Sequence, residues 1–138
     1  MSKGKYSKYV ITPPTPMGDF PPPAFRMVYD GLANGGSGNV GIRYSYFFGP
    51  DFQFEEPHRH DFDQFLVFLG SPENINDFDG VVEIWLGDER EKHTITKPTV
   101  VHVPAGLLHC PMAYKRMKKP ILLINITLSG EYVKKHDA

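Results

Sequence analysis

Short extended runs separated by turn residues most constrain the fold of this chain. Each run is rich in aromatic and β-branched residues and is bounded by Gly, Pro, Asn or Asp, which is typical of β-strands. No segment of the sequence shows the period of an amphipathic helix. Nine runs meet the description: 25–29, 40–48, 52–56, 65–69, 81–86, 92–96, 99–103, 107–114 and 121–128. The pattern predicts an all-β domain, either a sandwich or a closed barrel.

Composition excludes several classes of function. A chain of 138 residues with a formal charge of -1 gives no electrostatic reason to expect nucleic acid or a membrane as its partner. The longest apolar run, within 121–128, is too short to span a bilayer. The single cysteine, Cys110, cannot form an internal disulfide, and the first residues lack the apolar core of a secretory signal. We therefore expect a cytoplasmic protein.

The composition changes along the chain and suggests three parts. Residues 1–25 form a lysine-led arm with six prolines between Pro13 and Pro23, which favours an extended, polyproline-like path. We expect this arm to lie across the body or a partner subunit. The alternative is a docking motif for a proline-binding domain. Residues 26–130 are expected to form one barrel, and residues 131–138 a charged C-terminal tail.

Two loop motifs resemble ligand sites only in part. The glycine-rich segment 36–41 matches a dinucleotide fingerprint, but a strand follows it instead of the required helix, so it is interpreted as a turn. The segment 77–80 resembles part of a calcium loop. The two outer ligand positions would fall on Ile75 and Leu86, which cannot coordinate calcium, so an acidic surface loop is expected.

One part of the sequence contains a histidine pattern that indicates a metal site. His58, His60 and Gln64 have the same parity, so on an extended strand their side chains face the same way. His109 follows a Pro-x-Gly turn and would arrive from a distant strand. Three imidazoles and an amide oxygen can bind one divalent transition metal, and we expect these four residues to do so.

Other histidines and the cysteine are interpreted as structural. His93, His102 and His136 have no partner at ligand spacing. Cys110 is adjacent to His109, and neighbours on a strand point to opposite faces, so we expect Cys110 to pack in the outer layer and not to act as a nucleophile.

The histidine segments resemble the two motifs of the cupin superfamily, G-x5-H-x-H-x3,4-E-x6-G and G-x5-P-x-G-x2-H-x3-N. This chain has H-R-H-D-F-D-Q over residues 58–64 and P-A-G-L-L-H over residues 104–109. It departs from the pattern at Gln64, where the family has glutamate, and at Ala113, where it has asparagine. The resemblance covers residues 40–128. It implies a double-stranded β-helix, or jelly-roll barrel, with the metal inside, and a homodimer; the extended Pro-rich N-terminal arm would precede this barrel.

The four proposed ligands are all neutral, which bears on the chemistry. They suit Zn, Ni, Mn or Fe, and they leave the full charge of the ion to attract an anionic ligand. Lewis-acid chemistry is therefore favoured over an iron dioxygenase, because a ferric state prefers anionic donors. We expect an isomerase, lyase or hydrolase acting on a small oxygenated or carboxylate substrate. The alternatives are a non-catalytic small-molecule binder or sensor and, less favoured, a metal-dependent dioxygenase.

Side chains expected near the metal supply the remaining candidates. Arg43, Tyr44 and Tyr46 are the candidate catalytic residues; Arg43 could clamp a carboxylate, but Arg43 and Tyr44 have opposite parity, so at most one of those two faces inward. The candidate substrate-binding residues are Phe62, Phe68 and Asn125.

Overall fold

The computed structural model describes residues 4–12, 27–32 and 38–136 and contains the nine predicted strands. Their bounds are β1 Met27–Asp30, β2 Gly41–Phe47, β3 Phe52–Phe54, β4 Gln64–Leu69, β5 Val81–Leu86, β6 Glu91–Ile95, β7 Thr99–Val103, β8 His109–Lys115 and β9 Ile121–Thr127. The prediction of an all-β fold is confirmed.

The strands form two antiparallel sheets that fit a jelly-roll barrel. One sheet has the order β1-β2-β9-β4-β7 and the other the order β3-β8-β5-β6. A hairpin joins β5 to β6, and its turn places Gly87 at a φ of 79°, a left-handed conformation that glycine adopts without steric cost. Strands far apart in sequence, such as β2 and β9, are therefore neighbours in space.

The hydrophobic core fills the space between the sheets. Strands β2, β4 and β9 alternate strictly between buried and partly exposed residues, as expected when one face of a sheet is covered. At one end of the core the rings of Phe47, Phe52, Phe54 and Tyr114 pack with centroids 5.0 to 6.2 Å apart. Phe54 also lines the cavity that His58 and His109 line, so this apolar packing adjoins the histidines.

The N-terminal arm is described only in part. A single 3₁₀ turn covers Ser7–Tyr9, and every described residue of 4–12 is exposed. The proline-rich stretch 13–23 and the first two residues of the predicted glycine-rich turn, 36 and 37, lie outside the described residues, so the predicted extended path stays a prediction. Within the described part of the chain, no helix is long and apolar enough to cross a membrane.

Phe47 offers a test of the core. Its side chain is fully buried, whereas that of its neighbour Phe48 is 68% exposed. We expect Phe47→Ala to lower the free energy of unfolding by about 3–5 kcal/mol, because it removes buried apolar area and leaves a cavity. Phe48→Ala, the matched control, should change it by less than about 0.5 kcal/mol. Urea denaturation measures both. Similar losses in the two variants would contradict this placement of the core.

Candidate metal centre

A main-chain bridge joins the two histidine motifs. The His58 N–H donates to the His109 carbonyl at 3.1 Å, and the His109 N–H donates to the His58 carbonyl at 3.0 Å. His109 is the first residue of β8, and the bridge extends the β3–β8 pairing past the end of β3. The imidazole centroids of these two residues are consequently 4.3 Å apart, although the residues are distant in sequence.

All three histidines have the same tautomer for the same reason. A carbonyl oxygen only accepts hydrogen bonds, so each Nδ1 that contacts one carries the proton, and Nε2 keeps its lone pair. The Nδ1 contacts are His58 with the Glu56 carbonyl at 2.6 Å, His60 with the Val133 carbonyl at 2.6 Å, and His109 with the Leu107 carbonyl at 3.0 Å. Such outer hydrogen bonds orient imidazoles that bind metals.

The three free Nε2 atoms meet in the interior. The potential ligand atoms of His58, His60 and His109 all lie within 4.8 Å of one another, and the side chains are only 1–2% exposed. None of these Nε2 atoms has a hydrogen-bond partner among the described residues. Buried acceptors without a partner are rare in folded proteins and call for a bound group that would satisfy them.

Gln64 adds a fourth acceptor. Its Nε2 donates to Asn125 Oδ1 at 2.9 Å, which leaves Gln64 Oε1 buried and without a partner. Gln64 lines the same cavity as His58 and His109. One amide oxygen and three imidazole nitrogens are ligands that a divalent transition ion accepts, so the residues present fit the metal predicted from the sequence.

Burial keeps the imidazoles neutral. Loss of hydration lowers the pKa of His58 and of His109 from 6.5 to about 4 in each case, and it lowers the pKa of His60 as well. At neutral pH all three rings are therefore unprotonated at Nε2, which is the form that binds a metal.

Arg43 faces this interior, and Tyr44, which has the opposite parity, does not. It forms an ion pair with Asp30 at 2.9 Å, and both side chains are only 5% exposed. The ring of Tyr132 covers its guanidinium, with Cζ 4.2 Å from the ring centroid. Arg43 Nε and Nη1 are buried and have no partner in the described part of the chain. Two donors are therefore available to an anion.

The other candidates divide between the interior and the outer surface. Tyr44 and Tyr46 are on the outer face of β2, where they line surface grooves with Ile42 or Leu122, so of the three candidate catalytic residues only Arg43 faces the interior. Strand alternation is the reason, because the inward positions of β2 belong to Arg43 and its same-parity neighbours.

The predicted substrate-binding residues occupy three different environments. Phe62 stacks on His60 with centroids 4.7 Å apart and is close to the site. Phe68 is part of the hydrophobic core and does not line the cavity. Asn125 lines the cavity and accepts the hydrogen bond from Gln64.

Sequence reasoning missed residues at both ends of the site. Glu55 lines the cavity and has a φ of 68°, a left-handed conformation that is uncommon outside glycine. Tyr132 also lines the cavity, and Lys134 forms an ion pair with Glu55. The predicted charged tail thus folds back over the site. No spacing rule indicates this, and the single aromatic residue in that segment was the only available signal.

The outward orientation predicted for Cys110 is wrong. Cys110 is buried, belongs to the hydrophobic core and lines the cavity that His109 also lines. Its φ of 79° and a register shift between β5 and β8 break the alternation of side chains that the prediction assumed. Burial raises the pKa of the thiol, so Cys110 is protonated and is a poor nucleophile.

The remaining histidines lie at the surface. His102 contacts Asp63 at 2.9 Å and stacks on Phe65, and His93 contacts Glu91 at 2.5 Å. The ring of His136 is 6.0 Å from that of His58, but His136 is exposed and is not one of the converging ligands.

The lowered pKa values predict a pH dependence for the metal-free protein. Between pH 6.5 and about 4 the unfolded histidines bind protons and the buried ones do not, so acid favours unfolding. The unfolding temperature should be constant above pH 7.5 and fall from pH 6.5 towards 4. Each buried histidine contributes up to about 1.4 kcal/mol per pH unit.

Thermal melts across this pH range measure the effect. His58→Gln should flatten the slope, and His102→Gln, the surface control, should leave it unchanged. An equally steep slope in His58→Gln would contradict the assignment.

Comparison with known proteins identifies the fold. No family model matches the sequence, and no curated protein resembles it. Among solved structures, the polyketide cyclase RemF from Streptomyces resistomycificus has a TM-score of 0.56 and 13% identity, covering 83% of this chain and 70% of that one. A Bacillus subtilis oxalate decarboxylase variant (TM-score 0.54, 12% identity, 80% and 26% coverage) and an oxalate oxidase (0.54, 14%, 79% and 52%) also match. This chain thus spans about half of the oxidase and a quarter of the decarboxylase. These are cupin-fold proteins, and the chain has the fold of the cupin superfamily.

Proposed function

We propose that this protein is a metal-dependent enzyme that holds one divalent transition ion through His58, His60, His109 and Gln64. One observation carries the proposal. Four buried acceptor atoms, three imidazole Nε2 and one amide Oε1, belong to one cluster of side chains and have no partner among the described residues. Backbone contacts fix the tautomers that make the nitrogens available.

The charges around the site support an anionic substrate. All four proposed ligands are neutral, and the nearby charged side chains are paired with each other, Arg43 with Asp30 and Lys134 with Glu55. The charge of a bound ion is therefore uncompensated by the protein. When bound, the ion would supply Lewis-acid polarisation of a carbonyl or carboxylate oxygen. We propose a small oxygenated or carboxylate substrate.

Two ionisable side chains lie on the cavity wall, Glu55 and Tyr132. Glu55 is a carboxylate that faces the cavity, and Tyr132 is a phenol that lies against His60, with ring centroids 4.9 Å apart. Burial raises the pKa of Tyr132, so this phenol keeps its proton at neutral pH. A base near a polarised carbonyl suits isomerase, lyase or hydrolase chemistry. We propose Glu55 as the proton acceptor.

The second candidate is a non-catalytic binder of small anions. The observation that favours it is the near-complete burial of the histidines. The fold likeness does not decide, because the similar structures include a cyclase, a decarboxylase and an oxidase. Turnover that is lost in Glu55→Gln while metal is retained would favour the enzyme. Binding without turnover would favour the binder.

Metal content tests the proposed ligands. Protein purified without a polyhistidine tag should contain one equivalent of zinc, nickel, manganese or iron after reconstitution, and His109→Ala should lose it. His102→Ala is the matched control, since His102 is a surface histidine, and it should keep the metal. Elemental analysis measures all three. One equivalent retained in His109→Ala would place the site elsewhere, and iron with oxygen uptake would restore the dioxygenase hypothesis.

Gln64→Glu tests the fourth ligand. A carboxylate at this position neutralises part of the ion's charge, so we expect about tenfold or greater tightening of metal affinity. Gln53→Glu adds the same charge at an exposed position of β3 and should leave the affinity unchanged. Competition with a chelator of known affinity measures both. Weaker metal retention in Gln64→Glu than in wild type would exclude Gln64 as a ligand.

A further inference from the structure

Residues 131–136 close the metal centre from outside and contact the segment that contains His58 and His60. The main chain of Lys135 makes two hydrogen bonds of 2.7 Å with that of Arg59, and the Val133 carbonyl accepts the bond from His60. In this segment only Tyr132 lines the cavity, and Val133 is exposed. Ion pairs join Lys134 to Glu55 and Lys135 to Asp61. The segment is therefore a cover over the site, and none of its described residues belongs to the hydrophobic core cluster.

The ring of Tyr132 occupies a specific place between the proposed metal ligands and Arg43. Its centroid lies 4.9 Å from that of His60 and 4.2 Å from the Arg43 guanidinium carbon. The phenol interacts with the Gln64 amide. A ligand that contacts both the metal centre and Arg43 would have to occupy this same space.

Arg43 is incompletely satisfied while the tyrosine is in place. An aromatic ring attracts a guanidinium through its face but accepts no hydrogen bond in the guanidinium plane. Nε and Nη1 consequently have no partner within the described part of the chain, although the Arg43 side chain is 95% buried. Unmet buried donors are costly, and a carboxylate is the group that matches a guanidinium best.

Taking the proposed function as given, we propose that the space filled by Tyr132 is the subsite for the substrate carboxylate. Residues 131–136 are a lid that withdraws when this carboxylate binds Arg43. The structure described here is the closed state, in which the protein's own tyrosine holds the place of the ligand.

Lid opening also changes the two groups that the chemistry needs. Withdrawal separates Lys134 from Glu55, and the carboxylate of Glu55 then has no counter-ion on the cavity wall. It also removes the Val133 carbonyl from His60 Nδ1, and re-closure after the carboxylate has left restores this hydrogen bond. Proton acceptance by Glu55 is thus available when the substrate is inside.

Acetate binding to the full-length, cobalt(II)-loaded protein tests the subsite through the visible absorption of the ion. Tyr132→Ala removes the competing ring and should tighten acetate binding by about tenfold or more, since a rarely populated open state lowers apparent affinity. Val133→Ala, the control in the same segment, keeps the carbonyl and should match wild type. Arg43→Lys keeps a charge for Asp30 but has fewer donors, and it should weaken binding about tenfold. Unchanged or weaker acetate binding in Tyr132→Ala overturns the inference.

Trypsin cleavage after Lys134 and Lys135 gives an independent readout of the lid. In the cobalt-loaded wild type, acetate should accelerate this cleavage severalfold, as followed by mass spectrometry. Unchanged or slower cleavage with acetate bound would overturn the lid. Failure of the proposed function would look different, because neither the wild type nor any variant would then bind cobalt. If cobalt binds but Tyr132→Ala does not change the acetate affinity, only the lid proposal is overturned.

Discussion

The main-chain bridge between His58 and His109 is the contact on which the site depends. It is two hydrogen bonds between residues from the two motifs, and it continues the pairing of β3 with β8 beyond the strand end. Because β8 also pairs with β5, the bridge ties the histidines to the whole second sheet. Gln64 and Arg43 belong to the first sheet, so the site sits where the two sheets face each other. A change that separates the sheets therefore separates the ligands as well.

From the sequence, the alternation of side chains along a strand predicted most of the proposed metal ligands. Parity grouped His58, His60 and Gln64 as if on one strand, but His58 and His60 precede β4, which begins at Gln64. The turn before His109 indicated a second approach. The structure brings the three histidines together and places Gln64 on the same cavity. The strands were found from their aromatic and β-branched content and the turn residues around them, and in β2, β4 and β9 alternate residues are buried. Parity alone could not say which face of β2 points inward, and Arg43 occupies it.

The sequence did not predict the site residues at positions where side chains stop alternating between faces, or where the chain folds back over the site after β9. Cys110 and Glu55 both have positive φ, which turns a side chain out of the expected order, and neither is a glycine that would have marked the position. Tyr132 reaches the cavity through a return of the chain after β9, and such a path depends on tertiary contacts. All three residues are therefore visible only once the fold is known.

The three hydrogen bonds that orient the histidines have a consequence for how this site can change. Each accepting group is a backbone carbonyl, which every amino acid possesses, so replacing the side chain of Glu56, Leu107 or Val133 leaves the acceptor in place. Insertion or deletion of a residue nearby moves the carbonyl instead. The metal centre therefore tolerates side-chain substitutions at these positions, but not insertions or deletions that move the carbonyls. Homologues of this protein should therefore differ by substitutions around the proposed ligands, while the number of residues between the ligands stays constant.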